Sequence, residues 1–131
     1  MTKGGRELPA VAINVWSQQM KSADSQDMTR VGPGTVMGEF MRQYWMPALQ
    51  SKELVADGDP VRIMLLCEKL IAFRDTQGRV GIMDQRCPHR CASPFLGRNE
   101  ESGIRCVYHG WKFDVEGNCL EMPNVPEDFR F

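Results

Sequence analysis

Cys87-Pro-His89 is followed after sixteen residues by Cys106-Val-Tyr-His109-Gly-Trp111, so two short stretches each offer one thiolate and one imidazole. A two-iron, two-sulfide cluster with mixed ligands asks for that inventory: two Cys on one iron and two His on the other. On this reading Cys87 and Cys106 hold the first iron, and His89 and His109 the second. Pro88 stiffens the first loop, and Gly110 lets the second turn tightly beside the sulfides. A structural zinc centre is the competing use of such residues. Zinc fingers usually group Cys with Cys and His with His, whereas each loop here mixes the two, which points to iron.

The elements that must position these loops read as mostly β. Val61 to Leu66, Leu70 to Arg74 and Arg79 to Met83 are strand-like, with Asp75-Thr-Gln-Gly78 a hairpin turn. Ile104 to Val107 leads into the second loop, Trp111 to Val115 leads out of it, and Glu116-Gly-Asn118 turns the chain into Cys119 to Met122. Pro123 and Pro126 predict an extended exit. Val36, Met37, Phe40, Met41, Tyr44 and Trp45 fall at helical intervals before Pro47, predicting one short N-terminal helix. Together these predict a small antiparallel β-sandwich carrying two cluster-binding loops.

Several motifs in combination resemble the Rieske family, specifically the N-terminal Rieske [2Fe-2S] domain of phthalate dioxygenase-like, aromatic-ring-hydroxylating non-haem iron oxygenases. They are Met28 to Thr35, Gly38 to Pro47, Asp84-Gln-Arg-Cys-Pro-His-Arg-Cys-Ala-Ser-Pro94, Cys106 to Asp114, Gly117-Asn-Cys119 and Glu121-Met-Pro123. The resemblance implies a domain over 28–131, preceded by a flexible extension over 1–27 whose apolar patch is Val11, Ile13, Val15 and Trp16. A mis-assigned start at Met28 is an alternative. It also implies one-electron transfer from a reductase or ferredoxin to an oxygenase catalytic domain, whose mononuclear Fe(II) sits in a neighbouring subunit of a homo-oligomer.

That second iron needs two His and a carboxylate. The chain has two His in all, both assigned to the cluster. The expectation is therefore an oxygenase subunit truncated before its catalytic domain. A stand-alone Rieske-type ferredoxin is the alternative, against which stands the oxygenase-like stretch from Met28 to Pro47. High-potential Rieske proteins read Cys-x-Cys-His-Gly-Ser-x-Tyr in the second loop. Here Tyr108 replaces the disulfide Cys, and Trp111 and Phe113 replace the hydroxyl donors. Fewer hydrogen bonds to sulfur predict a potential near the low end of the range, about −150 mV.

The remaining features are consistent with a carrier domain and exclude other classes. The 131 residues are 42% hydrophobic, enough for one modest core, and 16 Lys and Arg balance 17 Asp and Glu. A net charge of −1 offers no bulk attraction to nucleic acid or anionic membrane. The longest apolar run is far below a ~20-residue span. Reduced Cys ligands and the absence of an apolar signal core favour the cytoplasm. Cys67 is expected as a small buried residue, and Cys91 and Cys119 as loop packing. Arg90 and Lys112 are expected to be solvated, with contact to an acidic donor protein as the functional alternative. Gly32-Pro-Gly34 is a turn lacking a phosphate-loop continuation, the nine Met fill core gaps, and no nucleophilic triad or paired carboxylates mark a separate catalytic centre.

Overall fold

The computed structural model describes residues 22–126, 128 and 129. The apolar patch from Val11 to Trp16 lies outside these. Two antiparallel sheets make the body of the domain. In the first, β1 (Val61–Leu65), β2 (Glu68–Arg74) and β3 (Val80–Asp84) pair in chain order, with Ile71 opposite Met83 and Phe73 opposite Gly81. In the second, β4 (Arg98–Glu100), β5 (Gly103–Arg105), β6 (Lys112–Phe113) and β7 (Cys119–Glu121) also pair in order. Ile71 and Phe73 from one sheet, Ile104 and Phe113 from the other, and Trp111 just before β6 form a single core cluster, joined by Cys87 and Cys106. The mostly β, two-sheet expectation therefore holds. Among the described residues no helix is long and apolar enough to cross a membrane.

The turns follow local chemistry. Asp75 is fully buried, and its carboxylate accepts from the Arg79 backbone N–H and Nε, both at 2.8 Å, while Gly78 supplies the left-handed residue at φ +81°. Asn99 of β4 donates Nδ2 to the carbonyls of Gly58 (3.0 Å) and Arg74 (2.7 Å), fastening the second sheet to the first.

Two expectations need correcting, the extent of the N-terminal helix and the burial of Cys67. The helix expected to run to Trp45 is α2 (Val36–Met41), capped by Thr35 Oγ1, which accepts from the Gly38 N–H. Beyond Met41 the bonding tightens, with the N–H groups of Gln43 and Tyr44 reaching back three residues to Phe40 and Met41. Ahead of α2 lies a further helix, α1 (Ser22–Thr29), whose first residues belong to the stretch expected as the N-terminal extension. No residue of α1 is buried, so there was no apolar periodicity to find. Cys67 is exposed because the strand ends at Leu65, and Leu66 and Cys67 form a two-residue turn at φ 46° and 66°. Strand β4 was unforeseen, since Arg98-Asn-Glu carries no apolar alternation.

Candidate metal centre

Loop one leaves β3 and loop two joins β5 to β6, and the two share one backbone pattern. The Cys87 N–H donates to the Ala92 carbonyl and the Cys91 N–H returns to the Cys87 carbonyl, both at 2.8 Å. The Cys106 N–H likewise donates to the Trp111 carbonyl (2.8 Å), and Gly110 returns to the Cys106 carbonyl (3.0 Å). Each loop thus closes from a cysteine to the fifth residue on, with the fourth in the left-handed region: Cys91 at φ 56° and Gly110 at φ 74°.

The structure pairs the sequence-predicted residues two by two, Cys87 with Cys106 and His89 with His109. Cys87 and Cys106 are 2% and 3% exposed, and the Cys106 thiol is close enough to Cys87 to disfavour its thiolate. Outside them the His89 and His109 rings sit 4.6 Å apart, centroid to centroid, and both residues are half-buried. Burial pushes the Cys87 thiol up, against the N–H groups of His89 and Arg90 that favour the thiolate. Desolvation, then His109 and Arg90, lower the pKa of His89 and favour the neutral imidazole that a metal requires.

This donor set suits a diiron cluster. Among the described residues no three His, Cys, Asp or Glu side chains converge on a single ion. Two buried thiols with two outer imidazoles would instead offer two ligands to each of two irons. The other cysteines are free thiols among the described residues: Cys67 and Cys91 are exposed, so Cys91 is not loop packing, while Cys119 is half-buried against the core.

Cys91 occupies a position where its counterpart is glycine, at a cost of ~1–2 kcal/mol in left-handed backbone. Cys91→Gly should therefore raise stability by about 0.5 kcal/mol once the looser unfolded chain is counted, with iron content unchanged. Thermal melts and iron assays of the two proteins would check it, and lost iron would make Cys91 a ligand.

Around the centre, Trp111 stacks flat on His89, with centroids 4.4 Å apart and planes within 1°, and Tyr108 leans on His109 at 3.8 Å. Asn124 Nδ2 donates to the His109 carbonyl (3.1 Å) and Arg105 Nη1 to the Gly110 carbonyl (2.9 Å). Sequence reasoning missed Arg105 and Asn124, since neither belongs to a ligand motif. Lys112 is not solvated: its side chain is 4% exposed and pairs with Glu121 and Glu101, while Arg90 is exposed as expected. Hydrogen bonds from Lys112 and Arg105 hold the Glu121 carboxyl below the usual range, and Arg105 does the same for Glu100.

Comparison with known proteins finds relatives over most of this chain. The 3-chlorobenzoate-3,4-dioxygenase oxygenase subunit of Comamonas testosteroni is 63% identical over 106 residues, covering 80% of this chain and 24% of that protein. The phthalate 4,5-dioxygenase oxygenase subunit of Pseudomonas putida is 52% identical over 100 residues, 76% of this chain and 23% of its own length. A crystal structure of dicamba monooxygenase superposes with a TM-score of 0.60 at 30% identity, over 67% of this chain and 27% of that one. The chain thus spans about a quarter of the length of these relatives. The Rieske [2Fe-2S] domain pattern itself matches residues 44–129, from the end of the helical segment through both loops to the last described turn. The two-sheet fold, the twin loops and this match together place the chain in the Rieske [2Fe-2S] domain family, among those of non-haem iron oxygenase subunits.

Proposed function

We propose that this domain, taken as residues 28–131 behind a short extension, passes single electrons as the Rieske part of an aromatic-ring-hydroxylating oxygenase, with Cys87, His89, Cys106 and His109 as the cluster ligands. The observation that carries the proposal is the pairing of two buried thiols with two half-exposed imidazoles on loops of identical backbone pattern. When bound, a Rieske cluster supplies a one-electron couple. The residues do the rest. Cys87 and Cys106 lie in the core, where water is excluded from the thiolates. His89 and His109 present their rings at the surface, where a partner's redox centre can approach, and Trp111 holds the plane of His89.

The donor is a reductase or ferredoxin, and the acceptor is an oxygenase catalytic domain with its own iron. Full-length assemblies are homo-oligomers in the cytoplasm. An aromatic acid is the substrate class best supported, since the similar oxygenase subunits are named for chlorobenzoate and phthalate. These relatives are oxygenase subunits and not small carriers, which favours this reading over a stand-alone ferredoxin.

The test is iron and acid-labile sulfide content together with EPR of the dithionite-reduced protein, followed by a redox titration. A Rieske signal is expected, with a midpoint potential near the low end of the family range, about −150 mV. Phe113 is buried in the core and Trp111 lies against His89, so neither position brings a hydroxyl to the sulfides. A potential above zero contradicts that argument, and iron-free protein after anaerobic reconstitution ends the proposal.

A further inference from the structure

We propose that Arg105, assisted by Asn124, is a positioning residue that sets the orientation of His109, and through it the properties of the bound cluster. The inference rests on His109 being a ligand, as proposed above.

Arg105 ends β5 immediately before Cys106, and only 17% of its side chain is exposed. Its guanidinium spends its donors on three separate elements. Nε reaches Glu100 Oε1 of β4 (2.7 Å), Nη2 reaches Glu121 Oε2 of β7 (2.8 Å), and Nη1 reaches the Gly110 carbonyl of loop two (2.9 Å). Lys112 holds the other Glu121 oxygen, so the carboxylate that orients the guanidinium is itself fixed. Asn124 binds the preceding carbonyl, that of His109. Two consecutive carbonyls, at and just after the ligand position, are thus anchored by side chains from outside the loop.

Gly110 makes this anchoring consequential. It sits at φ 74°, where a glycine can swing through a wide range of backbone angles, and any swing rotates the His109 peptide. The guanidinium fork restricts that freedom in a way a lysine cannot, because a single ammonium on a flexible stem does not reproduce three fixed donor directions. The arrangement supports a ligand through its backbone, as outer-sphere hydrogen bonds support metal ligands generally.

The experiment compares reconstituted Arg105→Lys, Arg105→Met, Asn124→Ala and Arg74→Lys with the parent. Arg74 is the control, an arginine equally rich in bonds (Leu54, Gly78 and Ser51 carbonyls) but bonded only to backbone and a serine away from both loops. Arg105→Lys and Asn124→Ala should alter the EPR g-values and release iron to a chelator on the order of tenfold faster. Arg105→Met should in addition lower the midpoint potential, because Glu100 and Glu121 lose a shared cation and the added electron meets more negative charge. Arg74→Lys should lower the melting temperature and leave spectrum and iron release as in the parent.

Asn124 is exposed and its truncation removes one hydrogen bond, so that variant will fold even if the Arg105 variants do not. Parental g-values, potential and iron release in Arg105→Lys and Asn124→Ala, whatever their melting temperatures, would overturn the inference and leave the cluster assignment standing. A parent protein without a Rieske signal removes the assignment itself, and the inference with it.

Discussion

A Cys106→Ser variant should purify without a Rieske EPR signal, its iron and acid-labile sulfide reduced by more than the 10–100-fold that changes in outer-shell groups bring. The two side chains are nearly the same shape, so the effect isolates the ligand atom. A thiol can reach its thiolate at accessible pH and a serine hydroxyl cannot, and iron binding depends on that deprotonation. Cys106 is 3% exposed, which leaves the hydroxyl no route to solvent as a substitute partner. The fold should survive, because the ordered backbone around Cys106 is held by its own N–H to Trp111 and by Gly110. Its melting temperature should therefore match that of the iron-free parent, the gap to the loaded parent being the stabilisation that binding supplies. Cys119→Ser is the control: that thiol is half-buried on β7, and its contact to the Glu121 carbonyl is one a hydroxyl can also make, so iron should be retained. A Cys106→Ser protein with parental iron and spectrum would strike Cys106 from the ligand set.

The candidate centre was legible in the sequence because ligand chemistry is local: residue type and spacing alone nominate Cys87, His89, Cys106 and His109, and the structure sets the two cysteines near each other and the two histidines near each other. The strands of the first sheet were legible for a similar reason, since alternation and the Asp75 to Gly78 turn are short-range signals. What escaped depends on distant partners. Lys112 looks like a surface lysine until Glu121, brought alongside by the β6–β7 pairing, compensates its charge in the interior. Strand β4 exists because β5 pairs with it and Asn99 meets two carbonyls of the other sheet, not because Arg98-Asn-Glu prefers to be extended. The kinship of the loops was half visible: Gly110 announces a left-handed residue, whereas Cys91 conceals the same conformation behind a side chain that rarely adopts it.

Gly97 shows how such hidden constraints govern stability, and Gly97→Ala should be the most damaging single methyl among the glycines near the centre. Its backbone, at φ −86°, suits alanine well, so conformational preference predicts no penalty. The cost is contact. A Cβ there would lie 1.9 Å from the Arg105 carbonyl oxygen and 3.0 Å from that of Pro94, both backbone atoms that cannot rotate aside. Relief requires moving β4 from β5 or displacing the turn at Pro94, and both border the loops. Overpacking of this kind costs roughly 3 kcal/mol, a lowering of the melting temperature on the order of 10 °C for a domain of this size. Because the Arg105 carbonyl immediately precedes Cys106, the displacement also reaches loop two, and iron should be lost faster from the variant. Gly117→Ala provides the contrast: nothing lies within 4 Å of its Cβ position, so only the left-handed backbone at φ 87° is penalised, by about 1 kcal/mol. Circular dichroism melts of both variants would separate the mechanisms. Equal losses would mean that backbone preference dominates at both sites and that the β4–β5 junction yields to an added methyl.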